Sequence, residues 1–173
     1  MSRSLGVLRA VLYFLLLVGV QGAVTSLLSP AGVTAPDLFL LTGVGLALRL
    51  RALPALLAAY GVGLLQDGLG HGLLGLHAAG IGGAALVLIG LRRLITDSGI
   101  FQNILTVLSA MLGQWAAFLI LTYWLRGGLV TVDALMRVLP WEAGLSLLAY
   151  PLWSRVLNWG FGPRPSAEQE MSA

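Results

Sequence analysis

Asp67, His71 and His77 concentrate the chemistry of this chain. They place one carboxylate and two imidazoles within eleven positions of a protein that has only seven acidic residues and two histidines. Gln66 adds an amide beside them, and glycines at 61, 63, 68, 70, 72 and 75 break the surrounding stretch. A carboxylate and an imidazole can exchange protons with a substrate, and both can ligate a metal. The remaining requirements of either chemistry are missing. No nucleophile stands at an interpretable spacing, since Ser98 and Ser109 fall in other segments. Asp67, His71 and His77 do not match H-E-x-x-H or any other paired-ligand spacing. The residues therefore point to no catalytic set, no metal site and no cofactor. Two readings stay open: a clasp that ties a glycine-rich turn together, or the polar lining of a binding site.

The frame around this joint is strongly apolar. The chain is 58% hydrophobic and 10% charged, with a mean hydropathy of +0.91. Soluble domains carry about 25% charged residues, so this composition specifies an integral membrane protein. Its basic residues are ten arginines without a lysine, scattered in ones and twos. That distribution suits topology signals better than nucleic-acid contact, which calls for a basic stripe. There is no cysteine, which excludes disulfides, thiolate metal sites and a cysteine nucleophile.

Hydropathy divides residues 1–162 into six apolar segments at about 7–28, 37–48, 52–66, 73–91, 100–125 and 142–159, followed by a polar tail at 163–173 expected to be disordered. The expectation is an all-α, polytopic membrane protein, with six transmembrane helices in one bundle. The first segment follows Arg3 and Arg9 like a signal peptide, but its apolar run is longer than a signal core. The second and third are short: fifteen helical residues span roughly 22 Å, less than the hydrocarbon core. Pro36 and Asp37 suit the start of a helix, where a carboxylate meets the positive end of the dipole. Residues 131–139 read as a separate interfacial helix that Pro140 ends or kinks. With the N-terminus in the cytoplasm, eight arginines fall inside and two, Arg126 and Arg137, outside; the positive-inside rule selects that topology, with both termini cytoplasmic. Trp124 and Trp141 then mark the outer interface, Trp153 and Trp159 the inner one.

Helices in lipid associate by close packing, which favours small residues four apart. Such faces occur at Gly19 and Ala23; Gly43 and Ala47; Ala55, Ala59 and Gly63; Gly75, Ala79 and Gly83; and Ser109, Gly113 and Ala117. Each either packs the bundle internally or accepts a foreign transmembrane helix.

Pro36-Asp37 opening the second segment, the arginine-bearing turn after it, and Gly63-x3-Asp67-x6-Leu74-Gly75 together resemble the bacterial rod shape-determining protein MreD family. The likeness covers residues 5 to 160, with Gly68 and His71 departing from the family's usual large aliphatic and small residues. The resemblance implies a non-enzymatic subunit of the cell-elongation machinery in the bacterial inner membrane. Its partner would be the transmembrane helix of MreC, and through it MreB filaments, the RodA glycosyltransferase and its transpeptidase. The implied fold is similar to the six-helix S subunits of energy-coupling-factor transporters. The alternative is a small-solute binding or transport subunit, with Gln66, Asp67, His71, His77, Gln114 and Glu142 as its lining.

Overall fold

The computed structural model describes residues 2–70, 73–92, 99–124 and 132–165. Within them the protein is all-helical: α1 (Ser2–Leu28), a 3-10 turn (Ser29–Ala31), α2 (Leu38–Ala47), α3 (Ala52–Leu69), α4 (Leu76–Leu91), α5 (Ile100–Trp124) and α6 (Val132–Phe161). Among the described residues three stretches are long and apolar enough to cross a membrane: Leu5–Ala31, Ala52–Leu69 and Ile100–Trp124. Leucines on the outer faces of α1, α3 and α5, such as Leu15, Leu57 and Leu112, are well exposed, as lipid-facing residues are.

The architecture is centred on α2. Its ten residues are all buried, and at about 1.5 Å per residue it is roughly 15 Å long. It touches each of the other five helices. Around it α3, α4, α5, α6 and α1 follow one another as neighbours, but α1 and α3 do not meet, so the ring is open on one side. Hydrogen bonds fix the directions. Gln66, late in α3, reaches Asp37 at the start of α2, so these helices run antiparallel. Arg92, at the end of α4, and Asn158, near the end of α6, both reach the far end of α2. Even-numbered helices therefore run one way and odd-numbered ones the other. The acidic side chains Asp37, Asp67 and Glu142 lie toward one end, and Arg49, Arg92, Arg155 and Arg164 toward the other.

Small residues set the helix spacing, and most of the small faces are filled from within. A Cβ on Gly63 would lie 2.3 Å from the Cα of Ala78, so α3 and α4 approach backbone to backbone. Gly83 and Gly113 do the same between α4 and α5; a Cβ on Gly113 would stand 2.7 Å from the Gly83 carbonyl oxygen. Gly43 abuts Ile81 of α4, and Ala55 and Ala59 are fully buried. Close approach replaces the hydrophobic drive that lipid does not supply. The face bearing Gly19 and Ala23 differs: both residues are exposed, and nothing approaches Gly19 or Gly22.

Several expectations change. The third segment continues past Gln66 to Leu69, so Asp67 sits in the last turn of an 18-residue helix and not in a loop. The fourth begins at Leu76. Gly75 precedes it in the left-handed region (φ 99°), a conformation costly for any residue with a Cβ; it belongs to the turn and not to a packing face. The expected break at Pro140 does not occur: α6 is continuous from 132 to 161 with Pro140 and Pro151 inside it. Membrane helices tolerate such prolines when neighbours resolve the freed carbonyls. Trp153, expected near the inner interface, is buried in the protein and donates to Thr42.

Gly63→Ala is expected to destabilise the protein by about 1–3 kcal/mol through overpacking. Gly90→Ala, where nothing lies within 4 Å, is expected to be neutral or better. Thermal unfolding in detergent checks the contrast; equal melting temperatures would mean that α3 and α4 are not in backbone contact.

Candidate functional site

The polar groups of the sequence assemble into two carboxylate centres. Asp67 Oδ1 accepts from the backbone N–H of His77 at 3.0 Å and lies 2.8 Å from His77 Nδ1. Its Oδ2 accepts from the N–H groups of Gly75 at 2.8 Å and Ala78 at 3.1 Å. Three of these bonds go to the first turn of α4, whose N–H groups have no partner within the helix. Asp67 thus caps α4 from the end of α3, where the helix dipole also favours a negative charge. A carboxylate offers about four acceptor sites, and four nitrogen atoms stand within hydrogen-bond distance of this one. The geometry is that of a clasp. His77 completes it and packs edge-on against Phe118, with ring centroids 5.8 Å apart.

Asp37 is the second centre. Its Oδ1 accepts from Leu40 N–H at 2.9 Å, the N-cap bond of α2. Its Oδ2 accepts from Gln114 Nε2 at 3.1 Å, and Gln66 Nε2 stands 3.5 Å away. Its own N–H donates to Ser146 Oγ at 3.3 Å. Gln21 brackets the same turn, accepting from Leu38 N–H and donating to the Pro36 carbonyl. Side chains from α1, α3, α5 and α6 thus meet at the first residues of α2. Glu142 is buried close enough to Asp37 for the two carboxyl groups to interact.

A middle layer lies one turn along α2. Thr42 Oγ1 donates to Leu38 O, and so accepts from Tyr13 OH at 2.7 Å and from Trp153 Nε1 at 3.0 Å. At the far end Arg49 donates to the carbonyls of Gly45 and Gly162 and to Asn158 Oδ1, while Arg92 donates to the carbonyls of Ala47 and Leu50. Cations there complement the negative end of the helix dipole.

Of the expected joint residues, the structure joins Asp67 to His77 and Asp37 to Gln66, and His71 lies outside the described residues. Gln114 and Glu142, placed by sequence in a solute-site lining, belong with Asp37 and not with Asp67. Gln21, Ser146, Tyr13 and Thr42 carry bonds that the sequence reading did not assign. The signal that could have found them is a lone polar residue inside an apolar span, which in lipid needs a partner. Among the described residues no three His, Asp or Glu side chains converge as a metal site. No protein-family model, curated protein or solved structure matches this chain.

Asp67→Ala would leave the N–H groups of Gly75, His77 and Ala78, the last of them buried, and the His77 ring without their acceptor, and is expected to cost roughly 3 kcal/mol. Ser146→Ala removes one neutral bond and is expected to cost about 1 kcal/mol. Amide hydrogen exchange locates the effect: Gly75, His77 and Ala78 should lose protection in Asp67→Ala, and unchanged rates there would refute the capping role.

Proposed function

We propose that this chain is a non-enzymatic scaffold of the bacterial cell-elongation complex, seated in the inner membrane with both termini cytoplasmic. In this reading it is a six-span bundle of the energy-coupling-factor S-subunit type that binds the transmembrane helix of an MreC partner. Through that partner it would connect MreB filaments to RodA and its transpeptidase. The resemblance to the MreD family at Pro36-Asp37 and Gly63-x3-Asp67-x6-Leu74-Gly75 suggests the partner.

The observation that carries the docking part is the state of α1. Among the described residues α2 and α6 are the only α-helices that it touches, and Gly19, Gly22 and Ala23 form an open, exposed strip. Small residues in such a strip let a second backbone come close. Elsewhere the expected grooves are occupied by the bundle's own helices, which leaves α1 as the face suited to a foreign one. The hydrogen bonds of Asp67 support a structural role for the acid-and-imidazole corner, in keeping with a scaffold.

Gly19→Leu combined with Ala23→Leu is expected to reduce co-purification of MreC from native membranes at least tenfold. Leu57→Phe, on the exposed side of α3, is expected to leave it intact. Undiminished recovery with the α1 double variant would remove α1 as the docking face.

A further inference from the structure

Two amide oxygens at the acid end of the bundle are buried without a partner, Oε1 of Gln66 on α3 and Oε1 of Gln114 on α5. Each belongs to an amide whose nitrogen faces Asp37 Oδ2, at 3.5 Å for Gln66 and 3.1 Å for Gln114. The oxygen and nitrogen of an amide share one carbon, so both oxygens flank the same carboxylate atom. Reversing either amide gives no relief, because it sets an acceptor against an acceptor. Left unmet, each oxygen carries the full desolvation penalty of a buried polar group.

Glu142 stands one turn before Ser146 on the same face of α6, and Ser146 Oγ accepts from the Asp37 N–H. It is 7% exposed, and Gln114 is 1% exposed. Among the described residues no donor hydrogen-bonds to Glu142, and the charged group that acts on it is Asp37, a second acid. Asp37 itself is held by Leu40, Gln114 and Gln66. A carboxylate so placed in a membrane protein needs a positive partner. The side chains around it supply oxygens instead.

The donor set selects the ligand. Carboxylate and amide oxygens are hard donors, and without imidazole or sulfur among them they suit an alkali or alkaline-earth ion over a transition metal. Charge and number narrow the choice. Calcium takes about six to eight oxygens, more than two amide oxygens and one carboxylate offer, and no three acidic or imidazole groups converge among the described residues. A water molecule would meet the amide oxygens but leave the charge of Glu142. A proton on Glu142 would remove the charge but give one O–H, which meets one amide oxygen and leaves the other. A small cation answers both needs. We propose that Gln66, Gln114 and Glu142 bind a monovalent alkali cation beside Asp37, tying α3, α5 and α6 together over the start of α2. The inference does not depend on which protein docks at α1.

The test uses the full chain, purified in neutral detergent and melted in sodium, potassium or choline chloride at one ionic strength and one pH. Sodium or potassium is expected to raise the melting temperature over choline by about 3 °C or more once the site is filled. Glu142→Gln, which keeps the size and removes the charge, is expected to abolish that rise. Gln66→Met is expected to move its midpoint to about tenfold higher salt. Gly90→Ala, near the other end of α4, retains it. If Glu142→Gln does not fold, calorimetric titration of the unaltered chain with sodium chloride against choline chloride decides the question: saturable sodium binding supports the proposal, and no saturable heat overturns it. Equal melting in the three salts also overturns it, being the result expected of a trapped water or of a proton on Glu142. So does a rise that persists undiminished in a folded Glu142→Gln, or stabilisation by calcium chloride alone.

Discussion

A ten-residue helix sealed inside a membrane protein cannot leave its ends bare. The first N–H groups and last carbonyls of any helix lack internal partners, and in hydrocarbon each unmet group costs several kcal/mol. Because α2 is buried along its whole length, neither water nor headgroups are at hand to satisfy them. The rest of the fold answers that constraint. Asp37 and Gln21 close the N-terminal end, and Arg49 and Arg92 close the C-terminal one. The groups that do so come from α1, α4 and the turns flanking α2, so finishing α2 and assembling the bundle are one event.

The polar contacts form layers along α2, each joining different helices. At the acid end Asp37 collects α3, α5 and α6; in the middle Thr42 joins α1 to α6; at the other end arginines bind α4 and the close of α6. Individual interhelical hydrogen bonds in membranes average only about 0.6 kcal/mol, so no one of them holds the bundle. Their value is geometric. Together with the glycine contacts of α3, α4 and α5 they fix register, which dispersion between leucine-covered helices specifies poorly. Asp67 stands apart from the layers because it serves α4, whose N-terminus it caps.

The all-α class and the approximate helix boundaries were legible because long apolar runs and glycine- or arginine-marked turns are local signals. Asp67 with His77, and Asp37 at a helix start, were legible for the same reason: their partners lie within eleven residues. The meeting of Asp37 with Gln114 and Ser146 was not, since 77 and 109 residues separate them and nothing local announces the pairing. Pro140 misled for a physical reason. Proline removes one backbone bond, but the segments on either side still favour helix, and a membrane environment penalises any non-helical break more heavily than the lost bond. The sorting of small-residue faces into filled and open ones also required three dimensions. Periodicity shows that a face is smooth, not what lies on it.

The attachment of α1 has a consequence for how the protein is made. Synthesis proceeds from the N-terminus, so α1 is made well before α6, the helix it packs against most. Until then Tyr13 has Thr42 but lacks Trp153 and Phe161, the aromatic neighbours that bury it. The nascent bundle of α2 to α5 can settle while α1 waits at its margin, and arrival of α6 is what draws α1 in. A product cut short before α6 would therefore carry a loosely held α1.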